Sequence, residues 1–161
     1  MSASSSPIDP RGPRFTAGVT LVVFAVVLLT APAPVGIVLL AVQTAFFAIG
    51  AVRGVQLTPT AYVFKKVVRP RLSAPDHLED PQPPRFAQTV GLGFSLVALA
   101  GYLTGATLLG QIASGFALAA AILNAVFGFC LGCELYLLLA RLRPAGRTIP
   151  TTATNKEEVA A

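Results

Sequence analysis

Four long apolar runs set the strongest limit on what this chain can fold into. They cover residues 15–29, 35–55, 86–103 and 108–133, and they contain almost no charge. A helix of roughly 20 apolar residues is long enough to cross the hydrocarbon core of a membrane. Only 12% of the chain is charged, against about 25% in soluble domains. The sequence therefore predicts an all-α integral membrane protein with four transmembrane helices in a lipid bilayer.

The basic residues are distributed unevenly around these runs. All twelve Lys and Arg residues lie in the N-terminal segment, near the end of the second run, in the middle loop or in the C-terminal segment. The turns at 30–35 and 104–107 carry none. The positive-inside rule then predicts a multi-pass protein of the cell membrane with both termini in the cytoplasm. Because the basic residues flank apolar runs, we expect Arg11 and Arg14 to meet lipid phosphates, and we expect no nucleic-acid partner.

An internal repeat divides the chain into two halves. Residues 9–15 match residues 80–86, with the Asp, two prolines, the Arg and the Phe in agreement. Each copy contributes two crossings, so both copies enter the membrane from the same side. This is a parallel repeat, with an axis along the membrane normal.

The repeat gives a domain organisation for the whole chain. Residues 61–71 mix aromatic, aliphatic and basic residues, which is typical of a short helix lying in the membrane interface. The polar ends lack periodicity and are predicted to be disordered. The predicted divisions are a disordered N-terminus at 1–8, a membrane domain at 9–144 with repeats at 9–72 and 80–144, and a disordered cytoplasmic tail at 145–161.

Glycines suggest how the helices align and pack. One alignment of the repeats places Gly50 and Gly54 opposite Gly128 and Gly132. Small residues let membrane helices approach closely, so we expect these four glycines to face other helices. The same alignment places Arg53 at the depth of Leu131, near the cytoplasmic boundary.

The fourth run contains the most distinctive residues of the sequence. Cys130 and Cys133 are the only cysteines, and Glu134 is the only acidic residue within an apolar run. On a continuous helix the two Cα atoms lie about 5 Å apart, within disulfide range. Glu134 shares a face with Cys130 and can exchange a proton with it. We expect Arg53 to pair with Glu134 and hold it ionised.

The position of this pair on a continuous helix argues against reactive thiols. It would lie toward the C-terminal end of the helix, whereas a helix N-terminus is what stabilises a thiolate. Activation would then require the arginines or a local break at Gly132. Cys130, Cys133, Glu134 and Arg53 are therefore candidate catalytic residues, while simple packing by the cysteines stays open.

A metal site is the third interpretation of the cysteines. A closed zinc site needs four ligands, and His77 is the only histidine in the chain. Cys130, Cys133, Glu134 and His77 do not make a convincing set, although two chains could combine their cysteine pairs. We predict no metal, and the sequence identifies no cofactor.

Three motifs resemble those of a known family. They are the repeated Asp-Pro…Pro-Arg-Phe entry, the Arg-Pro-Arg at 69–71 and the Gly-Phe-Cys-Leu-Gly-Cys-Glu stretch at 128–134. Over residues 8–144 the chain resembles small actinobacterial integral membrane proteins with a domain of unknown function. The resemblance implies a four-helix membrane domain without an established activity. It also implies a cytoplasmic partner of the thioredoxin-like or sulfurtransferase type.

Two functions remain open at this point, and with them whether the chain is an enzyme. The first is a membrane thiol-disulfide or sulfur-relay component that uses the CxxC. The second is a structural or scaffolding membrane protein whose cysteines only pack. Either function leaves homo-oligomerisation open.

Overall fold

Helices account for nearly all of the chain that the computed structural model describes, residues 7–75 and 77–142. The six α-helices are α1 (Arg11–Thr30), α2 (Pro34–Arg53), α3 (Pro59–Val63), α4 (Gln82–Leu103), α5 (Thr107–Phe127) and α6 (Leu131–Leu142). After α3 the chain continues through a π-helical turn, Phe64–Val68, and a 3-10 turn, Arg69–Arg71. The all-α prediction is confirmed, and the segment expected to be an interfacial helix is helical. Most of the predicted disordered ends lies outside the described residues.

Four of these helices are long and apolar enough to cross a membrane. α1, α2, α4 and α5 are 20 to 22 residues long, and their mean hydropathy lies between 1.5 and 2.3. The predicted four spans are therefore confirmed. α1 packs against α5 and α2 packs against α4, so the two hairpins close into a ring of four helices. Phe24, Val27 and Leu40 are fully buried within that ring.

The fourth span ends earlier than its hydropathy predicts. The sequence predicts one apolar run through residue 133, but α5 ends at Phe127. Gly128 follows with a φ of +70°, a conformation that glycine adopts without steric cost. Its N–H donates to the carbonyl of Asn124, and the Phe129 N–H donates to the carbonyl of Leu123, both at 3.1 Å. This paired bonding pattern is a common way to end a helix.

The two repeats meet at a pair of equivalent residues. Ile8 and Glu79 exchange two backbone hydrogen bonds of 2.9 Å in an antiparallel bridge. Asp9 and Asp80, which follow them, each accept a bond from the backbone N–H two residues later, at 3.0 and 2.9 Å. A mutual bridge between equivalent residues is what a local two-fold axis produces. Ile8 is buried and paired, although the sequence assigns it to the disordered N-terminus.

Each repeat also caps a helix of the other. The Arg14 guanidinium donates to two carbonyls in the last turn of α5, at 3.0 and 2.9 Å. The Arg85 guanidinium donates to two in the last turn of α2, at 2.8 and 2.7 Å. The acceptors are Ala125 and Val126 in α5, and Ala51 and Val52 in α2. Arg14 therefore binds helix carbonyls while its side chain stays exposed, and its contact with lipid phosphates remains a prediction.

The segments that follow the second helix of each repeat are equivalent as well. Phe64, after α3, packs on Phe15 of α1, with ring centroids 5.7 Å apart. Tyr136 of α6 packs on Phe86 of α4, also at 5.7 Å. α6 is thus the second repeat's version of the helical segment at 59–71.

These equivalences correct the alignment of the repeats. Gly54 directly follows the last residue of α2 and Gly128 directly follows the last residue of α5, and both glycines have positive φ. Gly54 is therefore equivalent to Gly128, and not to Gly132. It follows that Arg53 corresponds to Phe127, so the reason for placing Arg53 at the depth of Leu131 no longer holds.

Candidate functional site

The CxxC lies at the start of a helix. Because α5 ends at Phe127, the chain turns through three residues and resumes as α6 at Leu131. Cys130 occupies the N-cap position of α6, where its carbonyl accepts the Glu134 N–H at 3.0 Å. Its Sγ accepts the Cys133 N–H at 3.3 Å. The sequence placed this pair near the C-terminal end of a continuous helix. The structure reverses that placement, with the break at Gly128 instead of Gly132.

The two sulfur atoms are joined in a disulfide. The Cα atoms of Cys130 and Cys133 lie 5.2 Å apart, as expected from their spacing. Both residues are half-buried. The first turn of a helix has N–H groups without an intrahelical acceptor, and its end carries partial positive charge. Helix starts of this kind are environments in which proteins stabilise cysteine thiolates.

The first repeat has a threonine, and no cysteine, at the N-cap position that corresponds to Cys130. Thr58 is the N-cap of α3, and its Oγ1 accepts the Ala61 N–H at 3.2 Å. Cys130 and Cys133 stand in the same relation in the second repeat. Threonine is a preferred cap and cysteine is not, so capping alone does not account for sulfur at Cys130. Thr58, directly before Pro59, is the signal in the sequence from which the start of α6 could have been inferred.

Glu134 and Arg53 are not brought together. Glu134 is exposed in the first turn of α6, where a negative charge is favourable. Arg53 is exposed at the last residue of α2. In residues 7–75 and 77–142 the one salt bridge joins His77 and Glu79, at 3.3 Å. The expected Arg53–Glu134 pair is therefore not formed.

A different arginine approaches the CxxC segment. The Arg14 guanidinium lies 3.9 Å from where a Cβ on Gly128 would be, two residues before Cys130. The sequence does not indicate the contact of Arg14 with α5, because that contact joins residues far apart in the chain. No group of three or more His, Cys, Asp or Glu side chains arranged to hold a metal ion occurs in the described residues.

Comparison with known proteins identifies the family. Residues 8–141 match the family model of DUF4395, described as a domain of unknown function. The chain belongs to the DUF4395 family. The match includes all four spans of the DUF4395 domain and the CxxC. It also includes Arg14 and Arg85, each of which caps a helix of the other repeat. No curated protein and no solved structure is similar enough to add to this assignment.

Close packing fixes α6 of the DUF4395 domain against α4. A Cβ on Gly132 would lie 2.6 Å from the Cβ of Ala87 and 2.7 Å from its Cα. Gly50 is also packed, with Gln88 side-chain atoms 2.9 Å from its Cβ position. Gly54 and Gly128 instead end helices with positive φ. Two of the four glycines therefore make the predicted close approach, and the other two serve backbone conformation.

This packing predicts opposite effects for two glycine-to-alanine changes. Gly132→Ala should lower the free energy of unfolding by about 1–3 kcal/mol, because the new methyl meets the α4 backbone. Gly115→Ala, with nothing within 4 Å of its Cβ position, should raise it by about 0.5–1 kcal/mol through helix propensity. Unfolding of both variants in mixed detergent micelles measures the difference. Equal effects would show that α6 does not rest on Ala87.

A cavity of about 430 Å³ lies beside the CxxC of the DUF4395 domain. It lies between α1, α4 and α5, and Cys130 and Gly132 at the start of α6 form part of its wall. Most of its lining is apolar, including Phe47, Phe94 and Phe116. This volume is within the range of sites that hold small molecules.

Proposed function

We propose that the DUF4395 domain is a membrane thiol-disulfide exchange component in which Cys130 is the attacking thiol and Cys133 the resolving thiol. The observation that carries the proposal is the N-cap position of Cys130, whose Sγ accepts the Cys133 N–H at 3.3 Å. A stabilised thiolate is the species that attacks a disulfide. Sulfur at a position where the first repeat has Thr58 supports a chemical role over a packing role.

The exchange proceeds in two steps. The Cys130 thiolate attacks a disulfide of the substrate, forming a mixed disulfide and releasing one substrate thiolate. The Cys133 thiolate then attacks Sγ of Cys130 and releases the second substrate thiolate. The substrate gains two electrons, and the domain is left with the Cys130–Cys133 disulfide. Glu134, exposed in the same first turn, accepts the proton that Cys133 gives up.

We place this chemistry on the cytoplasmic side. The basic residues all lie in segments that the positive-inside rule assigns to the cytoplasm. Arg53 and Arg14 add positive charge at the end of the bundle where α2 and α5 finish. Disulfides in the cytoplasm are usually transient and catalytic. A thioredoxin-like protein or a sulfurtransferase, which presents a reactive sulfur to solvent, fits this side as the exchange partner.

The competing proposal is a scaffolding protein whose cysteines only pack. The close approach of Gly132 to Ala87 favours it, since that contact gives the segment a structural role in any case. The two proposals differ in what happens to the disulfide. A packing pair has no reason to cycle with a soluble disulfide, whereas an exchange component must do so reversibly.

Thiol labelling in oriented membrane vesicles tests both the chemistry and the side. After reduction, a membrane-impermeant maleimide should label the protein in inside-out vesicles and leave it unlabelled in right-side-out vesicles. Prior treatment with oxidised thioredoxin should remove that labelling, and fresh reductant should restore it. Labelling from the outer face contradicts the orientation. Thiols that persist after oxidised thioredoxin contradict the exchange function.

A further inference from the structure

The two repeats differ in side-chain size at equivalent positions beside the cavity next to the CxxC. With Gly54 equivalent to Gly128, Gln43 and Phe47 of α2 correspond to Ala117 and Ala121 of α5. In the first repeat these positions are filled by large side chains, while the second repeat has two methyl groups.

The large side chains of α2 are fully used in packing. Gln43 is buried and donates to Oγ1 of Thr20 at 3.2 Å. Phe47 stacks on Phe24, with centroids 6.3 Å apart, and its ring lies 2.7 Å from the Cβ position of Gly91. The alanines of α5 leave more room on the side of the cavity that belongs to the repeat with the cysteines.

The lining combines apolar walls with unused polar groups. Asn124 and Gln88 line the cavity, and neither side-chain amide donates or accepts a hydrogen bond within the described residues. Phe94 and Phe116 stack at 6.1 Å and are 38% and 61% exposed within membrane-spanning helices. These two rings therefore place one wall of the cavity at the outer surface of the bundle, the surface that lipid would cover around membrane-spanning helices.

We propose that this cavity binds the ring of a membrane quinone, which takes two electrons from the Cys130–Cys133 dithiol. The inference rests on the proposed exchange function, run in the reverse direction: a reduced thiol partner converts the Cys130–Cys133 disulfide to the dithiol, and the quinone is the acceptor of those two electrons. A compound that enters from lipid must be apolar. One that packs among Phe47, Phe94 and Phe116 and meets two free amides should be flat and carry hydrogen-bond acceptors. One that oxidises a dithiol must take two electrons, and quinones satisfy all of these requirements.

The reaction balances without a further reagent. The Cys130 thiolate forms a bond to a ring carbon of the quinone. The Cys133 thiolate then attacks Sγ of Cys130, so the disulfide forms and the electron pair of the breaking C–S bond stays with the ring. The two protons of the dithiol end on the two quinone oxygens. The products are the disulfide and a hydroquinone.

Filling the cavity with the residue of the first repeat tests the proposal. Reduced wild type in lipid nanodiscs should reduce duroquinone under anaerobic conditions, with one hydroquinone formed per disulfide. Ala121→Phe should slow this reaction by about tenfold or more, because a misplaced ring loses its reactive geometry. Ala119→Phe, at an exposed position of the same helix, is the matched control and should react like wild type.

Exchange with oxidised thioredoxin, measured on the same samples, separates the possible outcomes. Slow quinone reduction with normal thioredoxin exchange in Ala121→Phe supports the proposal. A wild type that exchanges with thioredoxin but leaves duroquinone oxidised overturns the quinone site and leaves the exchange function standing. Equal quinone rates in Ala121→Phe and wild type also overturn it, and would fit a cavity filled by a lipid chain. Loss of both reactions in wild type contradicts both proposals.

A second variant keeps the test decisive if the phenylalanine prevents folding. Asn124→Leu removes an amide from the cavity at similar size, and it should slow duroquinone reduction while thioredoxin exchange continues. An unchanged quinone rate in this variant, together with an unfolded Ala121→Phe, would count against the quinone site.

Discussion

Serine in place of Cys133 should leave the DUF4395 domain joined to its substrate in a mixed disulfide, and serine in place of Cys130 should remove that product. The reason is the position of the two sulfurs at the start of α6. Cys130 is the N-cap, where the helix end stabilises its thiolate, and its sulfur already accepts the Cys133 N–H at 3.3 Å. Without Cys133, nothing in the CxxC remains to displace the bound substrate.

Oxidised glutathione is a suitable probe for this difference. We expect the glutathione adduct to form about tenfold or more faster on Cys133→Ser than on Cys130→Ser, as intact-mass measurement of detergent-solubilised protein would show. The double serine variant serves as the control and should form none. Equal adduct rates on the two single variants would mean that the helix start does not distinguish the thiols.

Arg14→Met and Arg85→Met should each lower the free energy of unfolding by about 1.5–3 kcal/mol. Each guanidinium makes two hydrogen bonds to carbonyls at the end of a helix of the other repeat. Hydrogen bonds from charged donors contribute about this amount, and a cation at a helix C-terminus adds to it. Detergent-mediated unfolding followed by circular dichroism would measure the loss.

Arg53→Met is the matched control for these two variants. Arg53 is an exposed arginine at the same end of the bundle and forms no salt bridge in the described residues. We expect its loss to change stability by less than about 0.5 kcal/mol. If Arg53→Met lowers the free energy of unfolding as much as Arg14→Met does, the effect comes from positive charge near the membrane in general. That result would contradict the proposed capping of each repeat by an arginine of the other.

Much of the architecture follows from the sequence, because membrane spans depend on apolar length and charge position. The four spans and the repeated Asp-Pro entry need no tertiary information. The end of the fourth span is different. From Gly128 to Cys133 the chain stays apolar, so hydropathy continues through a break that depends on the backbone of one glycine. Only an alignment of Cys130 with Thr58, which requires a gap of two residues after the equivalent Gly54 and Gly128, indicates that a new helix begins there.

The same misplaced helix end explains the unformed Arg53–Glu134 pair. Their matched depth was inferred from an alignment that set Gly54 opposite Gly132, and the helix ends instead pair Gly54 with Gly128. The Arg14 cap and the cavity could not be predicted from the sequence, for another reason. Both depend on which side chains from distant helices meet, and a single sequence contains no record of such contacts.

The crossed caps also constrain how the protein can be made. The α1–α2 hairpin is synthesised and inserted first. The carbonyls at the end of α2 have no Arg85 partner until α4 has been synthesised. Arg14, near the start of the chain, can bind its carbonyl partners only after the end of α5 has been synthesised. The α1–α2 hairpin is therefore incomplete when it inserts, and both caps form only after α4 and α5 have joined it. A product truncated before residue 125 lacks the carbonyls that Arg14 binds, so α1 and α2 pack without that cap.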